Sequence, residues 1–161
     1  MASTVEKAHT QEWQSAGPSE TFAIGEQIGR QLRGGEVLLL DGPLGAGKTV
    51  LVKGVAAALD IDPEDITSPS FTLVDPHEGR LPLFHIDLYR LDEGPSAAHA
   101  VDLEELLSDE RAVIVIEWGA TRLGDYPIHA ETFRVTIAGD GDAPRAITLS
   151  CVLYDLVVKR H

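Results

Sequence analysis

The eight residues from Gly42 to Thr49 constrain the fold more than any other part of the chain. They read Gly-Pro-Leu-Gly-Ala-Gly-Lys-Thr, a glycine followed by four residues and then glycine, lysine and threonine. The apolar run Val37–Leu40 precedes them and predicts a buried strand, and Leu51, Val55 and Leu59 follow at helical spacing. Strand, glycine loop and helix in this order are the context in which such a segment forms a phosphate-binding loop.

Each part of this loop suits the binding of a triphosphate. Glycines let the backbone curl until several N–H groups point at one spot, and the helix N-terminus adds the positive end of its dipole. Lys48 brings a full charge to the β- and γ-phosphates, and the Thr49 hydroxyl can ligate Mg²⁺. We therefore predict a site for a nucleoside polyphosphate and reject a glycine turn that merely joins a strand to a helix.

The charge balance bears on possible partners. Aspartate and glutamate number 26 against 13 lysines and arginines, which gives a net charge of −13. Proteins that grip nucleic acid by themselves normally present a basic face, because neutralising phosphates drives that binding. Independent binding of RNA or DNA is therefore not expected. A basic patch that folding assembles or a partner completes stays open.

Length and composition suit one cytoplasmic domain. The chain has 161 residues and a single cysteine, Cys151, so a disulfide framework within the chain is not expected. No apolar run is long enough for a membrane span, and the N-terminus lacks the layout of a signal peptide. Residues 1–17 are polar and lack periodicity, so we expect a disordered tail there and a single domain from 18 to 161.

The strand patterns predict the fold class. Val37–Leu40 and Ala112–Ile116 are unbroken apolar runs, which are typical of parallel strands covered on both faces. Phe133–Ile137 and Ile147–Leu153 alternate apolar with polar residues, as half-exposed antiparallel strands do. We predict an α/β fold, a three-layer sandwich of the P-loop type with a mostly parallel core and antiparallel C-terminal strands. Other predicted elements are strands at Phe71–Val74 and Leu83–Leu88, joined by turn-rich Asp75–Pro82, and helices from Pro18 to Gly34 and over Asp102–Leu107, the latter with a capping box at Asp102 and Glu105.

Two carboxylates are candidates for the second half of the site. A phosphate loop needs an acidic partner for Mg²⁺, usually at the end of a neighbouring apolar strand. Glu117 ends the run Ala112–Ile116 at the carboxyl edge, where ligands bind in such sheets. Asp87 ends the run that starts at Leu83. One carboxylate would hold the metal, directly or through water, and the other would orient the attacking water, but the sequence does not divide these roles.

Three further positions carry weaker signals. The hydroxyl-rich segment Ser68–Thr72 is either a γ-phosphate sensor that orders when the phosphate is present, or a turn followed by a strand. Trp118 either stacks near the nucleotide or a partner, or is an ordinary core tryptophan. His85 lies on a predicted strand and is expected to be a core residue, not a catalyst.

Four motifs together resemble the TsaE family, small bacterial ATPases of tRNA threonylcarbamoyladenosine biosynthesis. They are Gly42–Thr49, Ser68–Val74, His85–Leu91 and Glu117-Trp118, in this order along the chain. The resemblance implies an ATPase that needs ATP and Mg²⁺ and acts with two partner proteins, TsaB and TsaD. Those partners transfer the threonylcarbamoyl group to an adenosine of tRNA, so this chain meets tRNA only through the complex, and its ATP hydrolysis resets the complex between turnovers.

The resemblance also implies roles for individual residues. Lys48 contacts phosphate, Thr49 and Glu117 hold Mg²⁺, Asp87 supports hydrolysis, and Thr72 belongs to the switch-like loop. Lys48, Asp87 and Glu117 are thus the candidate catalytic residues, and Thr49, Glu117 and Asp87 the candidate metal ligands. The candidate nucleotide-binding residues are Gly42, Pro43, Leu44, Gly45, Ala46, Gly47, Lys48, Thr49, Thr72 and Trp118.

Two other functions fit the same loop. A small-molecule kinase usually closes an arginine-bearing lid to keep water out, and the arginines after Glu117 are widely spaced, although Arg90 could serve. A non-enzymatic switch would share the site residues and differ only in not needing hydrolysis. The chain has no guanine-reading Asn/Thr-Lys-x-Asp element, so ATP is favoured over GTP.

Overall fold

A computed structural model describes residues 10–69, 73–91, 95–139 and 141–152. These residues form one sheet with helices on both faces. Its strands are β1 (Gln11–Ser15), β2 (Glu36–Asp41), β3 (Val74–His77), β4 (Leu83–Asp87), β5 (Val113–Glu117), β6 (Glu131–Ala138) and β7 (Arg145–Val152). The helices are α1 (Pro18–Arg30), α2 (Lys48–Ala58), α3 (Pro95–Ala100), α4 (Leu103–Leu107) and α5 (Gly119–Leu123), with a 3₁₀ turn at Pro63–Asp65.

The strand order places the loop-bearing strand in the middle of the sheet. The order is β1-β7-β6-β2-β5-β4-β3. Strand β2 runs parallel to both β5 and β6, and β4 runs parallel to β5, whereas β1–β7, β6–β7 and β3–β4 are antiparallel. The predicted α/β sandwich with a parallel core is confirmed. The two C-terminal strands pair antiparallel as expected, and β6 additionally joins the parallel core through β2.

The unbroken apolar strands arise because alternate side chains enter two different cores. On β2, Leu38 and Leu40 pack towards α1 and α2, while Val37 and Leu39 pack towards α3, α4 and α5. Strand β5 divides in the same way. Both faces of the central strands are therefore buried, which is the condition under which alternation disappears from the sequence.

Glycines let α2 approach α1 very closely. A Cβ on Gly54 would lie 2.1 Å from the carbonyl oxygen of Phe22, and a Cβ on Gly25 would lie 2.2 Å from that of Leu51. Side chains at these positions would push the two helices apart. Because α2 begins at the end of the glycine loop, this close packing fixes where the loop lies.

The disordered-tail prediction is wrong for residues 11–15. They form β1, which pairs antiparallel with β7 from Gln11 opposite Leu149 to Ser15 opposite Arg145. The residue pattern of this segment did not indicate a strand, because its pairing relies on backbone groups. Trp13 packs against the core and donates from Nε1 to Gln27, and Ser15 is fully buried. Residues 1–9 lie outside the described part of the chain.

Two other local predictions need correction, and two short helices were missed. Part of the predicted turn Asp75–Pro82 is strand, since β3 runs from Val74 to His77. A strand was also predicted at Phe71–Val74, and its residues 71 and 72 lie outside the described residues. The capping box at Asp102 and Glu105 is not formed, because Asp102 adopts a left-handed backbone, φ +51°, with no side-chain cap bond. The helices α3 and α5, of six and five residues, were not predicted. None of the helices in the described ranges has the length and apolar character needed to cross a membrane.

Candidate functional site

The glycine loop connects β2 to α2 at the carboxyl edge of the sheet. Gly45 and Gly47 have φ values of +79° and +105°, a left-handed backbone that glycine adopts without steric cost. Gly47 is the N-cap of α2, so the first N–H groups of the helix have no partner inside it. The loop thus has the local structure that the sequence predicted, with an anion-binding helix N-terminus behind it.

Lys48 is the first residue of α2 and is buried beneath the loop. Its Nζ donates to the carbonyl oxygens of Gly42 at 2.7 Å and Pro43 at 2.9 Å. The ammonium also lies 4.5 Å from the centroid of the Trp118 ring. Burial lowers the pKa of Lys48, and the nearby carboxylates, of which Glu117 is the strongest, oppose this shift. The loop therefore holds a cation among acceptors that a phosphate can replace.

The two candidate carboxylates are direct neighbours across β4 and β5. Asp87 lies opposite Glu117 in the parallel register, at the last position of each strand. They project towards α2, on the same face as Leu83 and Val115, because side chains alternate along a strand. Asp87 Oδ1 accepts a hydrogen bond from the N–H of Tyr89 at 2.9 Å. Burial nevertheless raises the pKa of Asp87, and the charge of Glu117 adds to this effect.

Thr49 brings the loop helix into contact with Glu117. Its hydroxyl donates to Glu117 Oε2 at 3.4 Å and lies 3.0 Å from the hydroxyl of Ser68. Glu117 is 3 % exposed and also bonds through Oε2 to Nε2 of His85, at 2.6 Å. His85 is fully buried, as predicted, and in addition contacts this carboxylate.

The donor set fits Mg²⁺. A threonine hydroxyl and a carboxylate stand within hydrogen-bond distance of each other, with a second carboxylate beside them. These are hard oxygen ligands, and Mg²⁺ is usually held by one or two carboxylates together with substrate phosphates. Within the described ranges, no group of three or more histidines, cysteines and acidic residues is arranged to hold a metal ion without such help.

An aromatic pair borders the same cleft. The rings of Tyr89 and Trp118 are 4.9 Å apart and tilted by 44°. The guanidinium of Arg122 lies 5.8 Å from the Trp118 ring centroid and donates to the carbonyl oxygen of Tyr89 at 2.8 Å. The Trp118 ring therefore lies close to both the loop lysine and an arginine at the margin of the cleft, and it also packs against the core on the α3, α4 and α5 face of the sheet.

The structure brings most of the predicted site residues into one cleft. Lys48, Thr49, Asp87, Glu117 and Trp118 line it together with the loop. The other lining residues are Leu44, Gly45, Gly47, Val50, Ser68 and Tyr89. Of the remaining loop residues, Gly42 and Pro43 accept hydrogen bonds from Lys48 through their carbonyl oxygens, and Ala46 is buried. Thr72 lies outside the described residues, so its prediction stays a prediction.

A second cleft on the other side of the loop was not foreseen. Its walls come from the loop, the start of α1 and the turn between β6 and β7. Arg145 forms part of it and donates to the carbonyl oxygens of Ala46 at 3.2 Å and Gly45 at 3.4 Å. Ser15 and Thr21 share a hydrogen bond of 2.7 Å at its base. Arg145 is about a hundred residues from the loop in sequence, so only the fold brings the two together. The sequence pattern indicated no more than an arginine at the start of an alternating strand.

Asp41 is a further residue that the sequence analysis missed. It is the last residue of β2, and its carboxylate accepts from the N–H groups of Ala120 at 2.9 Å and Thr121 at 3.1 Å, and from the Thr121 hydroxyl at 2.8 Å. These bonds tie α5, and with it the position of Trp118, to the strand that carries the loop. An acidic residue directly before the loop was visible in the sequence, but its partners were not.

Known proteins share this architecture. The crystal structure of YdiB from Bacillus subtilis matches with a TM-score of 0.67 and 30% sequence identity, over 94% of this chain and 93% of that one. Proteins described as tRNA threonylcarbamoyladenosine biosynthesis protein TsaE are similar in sequence. The one from Mycobacterium tuberculosis is 42% identical over 73% of this chain and 75% of its own. The one from Nostoc is 37% identical over 90% of each chain.

The family model for threonylcarbamoyl adenosine biosynthesis protein TsaE matches residues 15–147. This range contains the loop, both carboxylates and every strand of the parallel core. A phosphate-binding loop, a family match over most of the chain and relatives that share its length agree with one another. The chain belongs to the TsaE family of threonylcarbamoyl adenosine biosynthesis proteins.

Proposed function

We propose that this protein is a Mg²⁺-dependent ATPase that works with TsaB and TsaD in the threonylcarbamoyladenosine modification of tRNA. The observation that carries the proposal is the meeting of Thr49 and Glu117 at 3.4 Å, directly beside the buried Lys48. A lysine and a hydroxyl from the start of the helix after the loop, together with a carboxylate from the end of the strand next to the loop-bearing strand, are the set that Mg²⁺-dependent phosphate-loop enzymes use.

In this proposal the phosphates displace backbone acceptors from Lys48. The ammonium leaves the carbonyl oxygens of Gly42 and Pro43 for the β- and γ-phosphates, and the loop N–H groups bind the same oxygens. Thr49 and Glu117 hold Mg²⁺, since they already lie together. The metal, when bound, neutralises charge that develops on the phosphates during hydrolysis.

Asp87 is the better candidate for orienting the attacking water. It lies beside Glu117, and its hydrogen bond from Tyr89 leaves it at the cleft surface instead of against Thr49. Because burial raises its pKa, it holds a proton more readily than an ordinary aspartate does. A carboxylate of this kind suits the acceptance of a hydrogen bond or proton from water. Glu117 is thus assigned to the metal and Asp87 to the water.

The second cleft offers room for the nucleoside. It adjoins the loop at Gly45 and Gly47, which also line the cleft around Lys48, so one triphosphate could pass from one side of the loop to the other. Arg145 would contact the nucleotide there while still binding the loop. The absence of a guanine-reading element in the sequence is why we assign ATP.

Membership of the TsaE family supports the proposed partners. TsaB and TsaD would carry the transfer to tRNA, and ATP hydrolysis by this chain would reset the complex between turnovers. The net charge of −13 agrees with a subunit that binds proteins and reaches tRNA only through them. The proposed role in tRNA modification supports the cytoplasm as the location of the working complex.

Calorimetry with Mg·ATP, followed by phosphate-release assays with and without the TsaB–TsaD pair, tests the proposal. Lys48→Ala and Thr49→Ala should abolish binding or turnover, and Arg30→Met, which removes a charge at an exposed position on α1, should preserve both. A parent protein that is folded yet gives no heat with Mg·ATP refutes nucleotide binding. Binding with no phosphate release, even with the partners present, leaves a non-enzymatic switch as the function.

A further inference from the structure

The histidine beneath the cleft has a contact that the proposed mechanism does not use. His85 lies on β4 with no exposed side-chain surface, and its Nε2 is 2.6 Å from Oε2 of Glu117, whose side chain is 4 % exposed. This is the shortest contact that Glu117 makes with the described residues. It joins a candidate metal ligand to a group behind the cleft.

The strand register accounts for this contact. His85 lies two residues before Asp87 on β4, so both side chains point to the α2 face of the sheet. It stands opposite Val115, one step deeper than the Asp87–Glu117 pair. The Glu117 side chain can therefore lean back along the sheet to meet the imidazole. Two rigid parallel strands, and no loop, set the distance between the two groups.

The direction of the hydrogen bond follows from the chemistry of the partners. An ionised carboxylate only accepts hydrogen bonds, so Nε2 of His85 carries the hydrogen. A buried carboxylate that lacks such a donor is costly. Nδ1 of His85 is buried without a hydrogen-bond partner among the described residues. Among the described residues, Glu117 is therefore the hydrogen-bond partner of the His85 side chain.

Both hydrogen bonds that the described residues make with the Glu117 carboxylate end on Oε2. His85 approaches this oxygen from the sheet side and Thr49 from the α2 side. The rotation of the carboxylate is thereby fixed before any ligand arrives, and its position relative to the Thr49 hydroxyl is set. Groups that hold a metal ligand in this way typically change metal affinity or activity 10- to 100-fold when removed.

We infer that His85 is a positioning residue: its Nε2–H holds Oε2 of Glu117 so that the carboxylate faces the divalent cation bound with the nucleotide. This inference rests on the proposed function, because it assigns Glu117 to the metal. It predicts that loss of the donor weakens binding of the cation and leaves metal-free binding of the nucleotide intact.

Gln and Asn variants at position 85 test this role. The amide nitrogen of Gln reaches the position of Nε2, whereas that of Asn stops about one bond short, so the two variants differ mainly in whether a donor meets Glu117. Mn²⁺ affinity is measured by electron paramagnetic resonance at saturating ADP, and ADP affinity is measured separately in EDTA. His99→Asn, at an exposed position on α3, is the matched control.

The expected results separate positioning from simple packing. His85→Asn should lower Mn²⁺ affinity about 10- to 100-fold. The Mn²⁺ affinity of His85→Gln should stay within about threefold of that of the parent. In both variants, ADP affinity in EDTA should change less than about twofold. In a Glu117→Gln background, His85→Asn should have little further effect on Mn²⁺ affinity, because the group that His85 holds has already been altered.

Three outcomes overturn the inference. A folded His85→Asn variant with parental Mn²⁺ affinity does so, and so does a His85→Gln variant as weak as His85→Asn. Should His85→Asn fail to fold because it leaves a gap, His85→Leu fills the space without a donor, and parental Mn²⁺ affinity in that variant is equally decisive. A parent protein that binds ADP but no Mn²⁺ refutes the proposed metal site itself, whereas the three outcomes above refute only the role of His85.

Discussion

Lys48 and Trp118 form a cation–π contact although they lie 70 positions apart in the sequence. The Lys48 ammonium is 4.5 Å from the centroid of the Trp118 ring. The strands before them, β2 and β5, are adjacent and parallel, and the N–H of Trp118 donates to the carbonyl oxygen of Leu40 at 2.8 Å. This bond holds the backbone of Trp118 beside the end of β2, and the indole lies next to the start of α2. The lysine that should contact phosphate is thus held by loop carbonyls on one side and by an aromatic ring on the other.

This contact predicts an optical signal for nucleotide binding. A phosphate that attracts the Lys48 ammonium changes the charge beside the indole, so the fluorescence of Trp118 should change on addition of Mg·ATP. The chain has two tryptophans, and a Trp13→Phe background isolates Trp118. The signal should follow the binding curve seen by calorimetry and vanish in Lys48→Ala. Constant Trp118 fluorescence during calorimetrically observed binding shows that the lysine does not move.

Asp87 should reduce stability at neutral pH. Because its pKa is raised in the folded protein above the ordinary value of 3.8, the unfolded chain ionises first as the pH rises. The free energy of unfolding is therefore highest, as far as this group is concerned, below about pH 4 and falls as the pH rises through the folded-state pKa. Asp87→Asn should match the parent near pH 3 and unfold at a higher denaturant concentration at pH 7.

The same variant should lose turnover. If Asp87 orients water, Asp87→Asn should lower kcat by about 10²- to 10⁴-fold, with a smaller change in ATP affinity. Chemical denaturation from pH 3 to 7 and phosphate-release kinetics measure the two effects on one protein. Asp125→Asn, at an exposed position, is the matched control for both. A variant that is less stable than the parent at pH 7, or that hydrolyses ATP normally, contradicts the assignment.

The sequence predicted the parts of the candidate site that a residue pattern marks, and it missed the contacts that depend on how the strands pair. The loop, its strand and its helix are one continuous segment, so spacing and composition sufficed for Gly42–Thr49. Glu117 and Asp87 were accessible because each ends an apolar run, and parallel strands end at one edge. The contact from His85 to Glu117 depends on the register between β4 and β5, which no pattern in either strand specifies.

The same reasoning explains the missed strand and the second cleft. β1 contains one large apolar residue, Trp13, and its pairing with β7 uses backbone groups that all residues share. Arg145 reaches the loop because β7 lies beside β6, and β6 beside β2. Backbone pairing and strand order carry no residue-type signal, whereas buried apolar strands and glycine loops do.

Gly54 should tolerate no side chain, even though it lies within a helix. Alanine at an ordinary helical position is about 1 kcal/mol more favourable than glycine. At Gly54, however, a Cβ would lie 2.1 Å from the carbonyl oxygen of Phe22 on α1. Gly54→Ala should therefore destabilise the protein by about 1–3 kcal/mol, the usual cost of overpacking.

Urea denaturation of Gly54→Ala beside Ala57→Gly on the same helix gives the measurement. The second variant should lose about 1 kcal/mol through helix propensity alone. Because α2 carries the loop, Gly54→Ala should also weaken ATP binding in the fraction that folds. A stabilised Gly54→Ala protein shows that the two helices are farther apart than the structure places them.

Asp41 should act as an external cap for α5. Its carboxylate accepts three hydrogen bonds from Ala120 and Thr121, and α5 has only five residues, so few other interactions hold its first turn. Replacing a capping carboxylate by alanine typically costs about 0.5–2 kcal/mol. Asp41→Ala should lower the melting temperature by about 2–4 °C per kcal/mol lost, as expected for a domain of this size. Asp41→Asn, which keeps one of the two acceptor oxygens, should fall between this variant and the parent.

Amide hydrogen exchange locates this effect. The amides of Ala120 and Thr121 should exchange faster in Asp41→Ala, while those of Leu51 and Val55 on α2 should change only as far as global stability does. Thr121→Val removes one of the three bonds and should give a smaller change at the same amides. Because α5 begins directly after Trp118, loss of the cap should let the indole adopt a wider range of positions. The fluorescence change on nucleotide binding should then be smaller. Unchanged exchange at Ala120 and Thr121 in Asp41→Ala shows that the first turn of α5 is held by other contacts, and that β2 does not control the position of Trp118 through Asp41.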